Sequence, residues 1–277
     1  MSIGINTNLE MGVDIKALYN QAKKVGFKSV MVAFKNGDIE EIITAAKEEG
    51  LKIPYVHLSC REANVLWVES VLATNYIKKL KGEIDICQKY KIPIAVIHPT
   101  TGNPNSRPVP PNKVGLKNIK EVVDYAVSKN VKLAFENVDY ASLKYLKYIF
   151  KNIEKDKIGF CYDVGHNYLY YPKKNVIKKY KDRVIAVHLH DNYMDYVAFN
   201  DYTKDKHMLP FDGKLNYEKI CKDIANSSYR NVIMLEVNRV STSNPNKYKN
   251  VDLLDFIKEA KVRAEKIKNM INNYRKK

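Results

Sequence analysis

The sequence predicts an α/β chain folded as one (β/α)8 TIM barrel over residues 1–277, and three observations carry that expectation. Short β-branched and apolar runs alternate with longer amphipathic segments rich in Lys and Glu, the pattern of βα units closing a parallel sheet. Several runs are apolar almost throughout, such as Ile92-Pro93-Ile94-Ala95-Val96-Ile97 and Val232-Ile233-Met234-Leu235, as strands covered on both faces must be. No G-x-G-x-x-G follows the first run, where Asn6-Thr7-Asn8-Leu9 stands instead, which argues against a doubly wound nucleotide-binding sheet.

Ile3–Asn6 is the first predicted strand, followed by an amphipathic helix over Asp14–Val25 that Gly26 stops. Ser29–Phe34 is the second strand, and its helix, Asp38–Glu49, ends at Gly50. The third strand, Ile53–Ser59, leads into a long helix over Val68–Tyr90. The fourth, Ile92–His98, leads to Leu116–Ser128, with Asn130 where a C-cap is needed. Lys132–Asn137 and the helix Ser142–Asn152 make the fifth unit, and Ile158–Asp163 with Lys174–Tyr180 the sixth. Val184–His190 precedes the helix Tyr217–Ala225, and Asn231–Val237 precedes Leu253–Arg275. Barrels of this kind run to about 250 residues as one domain, and no linker or low-complexity tract divides the chain. The longest irregular pieces, Pro99–Val114 and Asp191–Leu215, both follow strand C-termini, where a barrel builds its active site.

Lys and Arg number 47 against 31 Asp and Glu, a net charge of +16 that invites a nucleic-acid partner. Composition tempers this, since 28% charged and 45% hydrophobic residues are ordinary for a globular protein, and much of the excess lies in outer helices and the segment Lys258–Lys277. Cys60, Cys87, Cys161 and Cys221 lie far apart with no C-x-x-C pair and read as reduced core thiols. There is no basic-then-apolar leader and no apolar run near the ~18 residues that span a bilayer, so a soluble cytoplasmic protein without membrane partners is expected.

The placement of the six histidines is the most informative feature. His57 and His98 end the third and fourth strands, His166 follows the sixth, His188 and His190 lie in the seventh, and His207 sits in the loop beyond. Glu136, Asp163 and Glu236 end strands five, six and eight, and Asp205 precedes His207 by two. One buried histidine is more often a hydrogen-bonded core residue than a ligand. A whole set of imidazoles and carboxylates at the same end of successive strands is different, because a barrel makes them converge and buried carboxylates must be paired, protonated or metal-bound. Such a set suits one or more zinc, manganese or iron ions, and no thiolate is expected nearby. Asp163-x-x-His166 and Asp205-x-His207 let neighbouring side chains reach one site or adjacent sites.

The segments Ala134-Phe135-Glu136-Asn137, Gly159-Phe160-Cys161-Tyr162-Asp163-Val164-Gly165-His166, His188-Leu189-His190-Asp191-Asn192, Asp205-Lys206-His207-Met208-Leu209-Pro210-Phe211-Asp212-Gly213 and Leu235-Glu236 resemble the xylose isomerase-like TIM-barrel superfamily. That group includes sugar-phosphate isomerases and epimerases and the endonuclease IV-type AP endonucleases of family 2. The isomerase branch implies one metal on Glu136, Asp163, His188 and Glu236, proton shuttling by Glu136 and Glu236 through an enediolate, and a substrate-orienting role for His166. The endonuclease branch implies three zinc ions, the first on His57, His98 and Glu136, the second on Glu136, Asp163, His188 and Glu236, the third on His166, Asp205 and His207, cleaving DNA at abasic sites. Flanks such as Glu136-Asn137-Val138-Asp139 and Asp163-Val164-Gly165-His166 depart from the endonuclease pattern and favour the isomerase reading. A non-catalytic metal- or sugar-binding barrel is the third and weakest expectation. Cofactors are therefore one to three divalent ions, zinc or manganese, and the partner a small sugar or sugar phosphate, with DNA as the alternative and oligomerisation open. His190, Asn192, Arg61, Trp67 and Arg239, together with Arg107 and Lys113, are the substrate-contact candidates at the same barrel face.

Overall fold

The apolar runs pair into eight parallel strands in a computed structural model that describes residues 1–10, 12–34, 38–101, 109–193, 204–240 and 248–276. The strands are β1 (Ile3–Asn6), β2 (Ser29–Ala33), β3 (Val56–His57), β4 (Ile94–Ile97), β5 (Lys132–Glu136), β6 (Ile158–Asp163), β7 (Val184–His188) and β8 (Ile233–Leu235). From β1 to β7 each strand pairs with the next in chain order, and β1 also pairs with β8. The ring closes just beyond β7, where the Leu189 N–H donates to Met234 O at 3.1 Å and the Glu236 N–H donates to Leu189 O at 3.1 Å. This is the (β/α)8 barrel expected from the alternation.

The intervening helices are α1 (Ile15–Val25), α2 (Ile39–Glu48), α3 (Val71–Lys89), α4 (Lys113–Ser128), α5 (Ser142–Asn152), α6 (Val164–Tyr170), α7 (Val176–Lys179), α8 (Tyr217–Ala225) and α9 (Leu253–Lys276). Side-chain oxygens of Asp14, Asp38, Ser70, Asn112 and Asn216 cap first-turn N–H groups of α1, α2, α3, α4 and α8. Gly26, Gly50 and Asn130 all take positive φ, as the C-terminal stops require.

Three expectations are adjusted. The helix expected over Val68–Tyr90 runs from Val71 to Lys89 as α3 and is preceded by a 3-10 turn at Ala63–Trp67, and the sixth unit carries an additional helix, α6, directly after β6. Strand three is also much shorter than Ile53–Ser59, because its regular ladder with β2 and β4 is confined to Val56 and His57.

Side-chain alternation sets two environments. Outward residues such as Val56, Ile97, Phe135, Phe160 and Leu235 join the helix-covered core. Inward residues Tyr55, Val96, Ala134, Cys161, Ala186 and Met234 fill the barrel interior. Two positions further along the same six chain segments, on the same face, stand His57, His98, Glu136, Asp163, His188 and Glu236. Period-two geometry thus sets one polar layer at the C-terminal mouth, directly above one apolar layer of the barrel interior.

Candidate metal centre

Glu136 stands at the middle of that layer, with only 1% of its surface exposed. Its Oε1 lies 3.2 Å from His166 Nδ1 and 3.3 Å from His188 Nδ1, and its Oε2 lies 3.3 Å from His57 Nε2 and 3.3 Å from His98 Nε2. His188 Nδ1 is also 2.9 Å from Glu236 Oε2 and 3.8 Å from Asp163 Oδ2. Glu136, Asp163, His188 and Glu236 therefore present four donor atoms to one point, all within 4.8 Å of one another.

A second donor group, His166, Asp205 and His207, lies beside the first. Asp205 Oδ2 is 3.0 Å from both His166 Nε2 and His207 Nε2. α6 explains how His166 arrives: Asp163 caps this helix by accepting the His166 N–H at 2.7 Å, so one carboxylate ends a strand, starts a helix and faces the centre. His207 is held in a left-handed backbone conformation, φ 46°, and its ring stacks on His190 at 4.0 Å.

The third group is His57, His98 and Cys60. The expectation that no thiol stands near is therefore corrected, since the loop after β3 brings Cys60 beside His98.

Three of the histidines share one orienting device. Nδ1–H donates to a backbone carbonyl in His57 (Leu58 O, 2.8 Å), His166 (Asn137 O, 3.1 Å) and His207 (Glu236 O, 2.8 Å). A carbonyl can only accept, so Nδ1 carries a proton in each and Nε2 is the nitrogen turned toward the cluster. Asn137 contributes again through its side chain, which donates to Asp163 O at 2.8 Å and accepts from the Asp163 N–H at 3.0 Å, pinning β6 to β5 at the ligand level. His190 Nε2 is 3.2 Å from each Asp163 carboxylate oxygen.

Charge is strongly redistributed. Burial alone would raise the Glu136 carboxyl, but His188, His166 and His57 outweigh it and hold it well below the ordinary carboxylate range. Burial is likewise overcome at Asp205 by His207 and His166, and at Glu236 by His188 and His207. In the other direction burial would lower His98, yet Cys60 and Glu136 bring it up to about 10, and Asp205 brings His207 up to about 9. His166 and His188 are also raised, against their burial, by the carboxylates Asp163 and Asp205 and by Cys161 and Glu236 respectively. Protons thus sit where cationic charge is needed to balance four converging carboxylates.

The donor set fits a divalent cation on an observation independent of charge. Glu136 Oε2 is buried without a hydrogen-bond partner although two imidazole nitrogens stand 3.3 Å away, an expensive arrangement unless something else satisfies it. A cavity of about 380 Å³ opens over the cluster, with His57, His98, Glu136, His166, His207 and Glu236 among its walls.

The substrate-contact candidates divide. Arg61 is exposed and lines the cavity beside Glu62 and Lys79. Trp67 is 1% exposed, packs 4.6 Å from the Tyr145 ring and donates to Pro99 O, so it is a core residue and not a cavity wall. Asn192 is buried and donates to Asp205 Oδ1 at 3.1 Å, which makes it a support for that ligand. His190 is buried behind Asp163, and Arg239 is paired with Glu10 and donates to Val251 O. Lys113 is exposed at the start of α4, and Arg107 lies outside the described residues. Sequence reasoning missed Cys60 and Asn137; the quoted Glu136-Asn137 pair held the signal for the second, because an amide directly after a strand-end ligand can bridge to the next strand.

The chain matches the model of the xylose isomerase-like TIM barrel over residues 19–260. A curated relative, the uncharacterized protein y4fM of Sinorhizobium fredii (strain NBRC 101917 / NGR234), is 29% identical over 169 residues, 58% of this chain, and the match spans about half (52%) of that relative's length. Among solved structures, IOLI protein with a bound zinc atom superposes with a TM-score of 0.76 at 15% identity, covering 99% of both chains. D-psicose 3-epimerase from Clostridium cellulolyticum H10, solved with D-tagatose, gives 0.74 at 14% identity, covering 98% of this chain and 99% of that one. L-ribulose 3-epimerase gives 0.74 at 12%, covering 99% and 96%. With its matched family model and its polar layer at the C-terminal mouth of the barrel, the chain belongs to the xylose isomerase-like TIM-barrel family.

Proposed function

We propose that this protein is a divalent-metal-dependent isomerase or epimerase that moves a proton at the carbon next to a carbonyl of a sugar or sugar phosphate. The observation that carries the reading is the four-donor set Glu136, Asp163, His188 and Glu236, of which Glu136 and Glu236 line a cavity of about 380 Å³, near the lower end of the ~300–1,000 Å³ range for small-ligand pockets. The solved epimerases of the same fold, described with sugars such as D-tagatose, support it. When bound, zinc or manganese would polarise the substrate's carbonyl and hydroxyl oxygens.

The chain's own groups divide the remaining work. Glu136 comes from β5 and Glu236 from the end of β8, with β6 and β7 between them in the ring, so the two carboxylates reach the centre from separated sides. One removes the proton and the other returns it, which inverts the carbon or relocates the carbonyl. His166, fixed by Asn137 O and Asp205, orients a substrate oxygen. Arg61 at the cavity mouth is placed to meet a phosphate or ring hydroxyl.

A second reading, phosphodiester hydrolysis at abasic DNA, is favoured by one observation: His57 with His98, and His166 with Asp205 and His207, supply donors beyond what one proton-transfer cation needs. Proton NMR in D2O separates the two. Metal-loaded protein incubated with a panel of ketoses and their phosphates is expected to place deuterium at the carbon beside the carbonyl, sensitive to EDTA and slowed at least ~10²-fold by Glu236→Gln. No exchange across the panel, with EDTA-sensitive nicking of an abasic-site duplex, would establish the hydrolytic reading instead.

A further inference from the structure

We infer that Cys60 is a metal ligand, completing with His57, His98 and Glu136 a four-donor site for a zinc-class cation beside the centre proposed for the reaction. His57 Nε2 and His98 Nε2 stand 3.0 Å apart, and each is 3.3 Å from Glu136 Oε2. Zinc bonds of 2.0–2.1 Å in a tetrahedron place neighbouring nitrogen or oxygen donors about 3.3 Å apart, so this triangle already has the dimensions of one tetrahedral face. Cys60 Sγ lies within 4.8 Å of both ring nitrogens, against about 3.6 Å for a sulfur at the fourth corner.

The thiol is held there by its backbone. Ser59, the residue before it, is fixed on three sides: its N–H donates to Glu83 Oε2 at 2.9 Å, its hydroxyl to Phe34 O at 2.9 Å, and its carbonyl accepts from Tyr76 Oη at 2.5 Å. The Cys60 carbonyl accepts from the Ala63 N–H at 3.1 Å, starting the turn that follows. His57 keeps its Nε2 lone pair inward through the Nδ1–H bond to Leu58 O, and Glu136 Oε2 has no hydrogen-bond partner while buried at 1% exposure.

Two imidazoles, a thiolate and a carboxylate favour zinc or cobalt over magnesium, calcium or manganese, whose preferred ligands are oxygens. The thiol proton leaves to solvent when sulfur binds. With all four corners taken by protein, the site is closed, as structural zinc sites are, and its consequence is to fix Glu136 Oε2 while Oε1 faces the neighbouring donors. The inference rests on the cluster being a metal centre and is independent of the substrate.

Cobalt(II) loading of the full chain reads it directly. A near-ultraviolet sulfur-to-cobalt charge-transfer band is expected, abolished by Cys60→Ser and retained by Cys161→Ser, whose thiol is also close to Glu136 and His188. In the wild-type chain, zinc is expected to slow alkylation of Cys60 at least tenfold by peptide mapping. Cobalt uptake without the band, a band lost only in Cys161→Ser, or equal alkylation with and without zinc would overturn the assignment alone. Failure to take up cobalt or zinc would overturn it together with the metal reading, whereas absence of sugar turnover in a cobalt protein showing the band leaves it standing and removes only the sugar reaction.

Discussion

Glu136 serves two donor groups at once because its two oxygens face different histidines, Oε1 toward His166 and His188 and Oε2 toward His57 and His98. Held well below the ordinary carboxylate range, it stays ionised, while the raised His98, His166, His188 and His207 carry protons in the metal-free protein. A cation must displace those protons. Because the imidazole pKa values are raised, the protonated form competes through neutral pH, so metal affinity rises with pH through neutrality and into the range of about 9 to 10 to which His207 and His98 are brought. Titration calorimetry at pH 7 in buffers of different ionisation enthalpy is expected to show at least one proton released per ion bound, and an enthalpy independent of buffer would contradict this balance.

At the scale of elements, α6 shows what was and was not legible. The Asp163-x-x-His166 spacing brought both side chains to one end of the barrel, but the helix joining them went unseen, since it is 7 residues long and begins Val-Gly, a poor helical start without its Asp163 cap. Gly165 has a packing reason: a Cβ there would lie 2.0 Å from His190 Cε1, and His190 in turn holds Asp163. Gly165→Ala is expected to cost about 1–3 kcal/mol through overpacking and to lower metal affinity as His190 is driven off Asp163. Melting temperature and zinc affinity measured on the same variant check both, and an unchanged melt would refute the packing account. The polar residues at strand ends were readable because each follows a barrel-interior residue by two, as Ala134 precedes Glu136 and Ala186 precedes His188. Cys60 was not, because its approach to His98 depends on the path of a loop whose anchors, Phe34 after β2 and Tyr76 and Glu83 on α3, come from two other segments. Trp67 misled for a related reason: an aromatic in a mouth loop is read as a cavity wall, whereas Gly115 leaves space on α4 into which the ring packs.

For the whole molecule, barrel closure through Leu189 and Glu236 turns six chain-distant residues into one polar layer, and the sequence order of strand ends becomes an arrangement around an axis. The +16 charge does not gather at that mouth among the described residues, where Arg61 and Lys79 are the basic side chains on the cavity and Lys79 is 3.4 Å from Glu62. All of it depends on the polar layer holding metal. Elemental analysis of the purified protein, as isolated and after reconstitution with zinc or manganese, tests this most directly: at least one ion per chain is expected, with most of it lost in Glu136→Gln, and a properly folded protein that binds no divalent metal in either state would contradict the account.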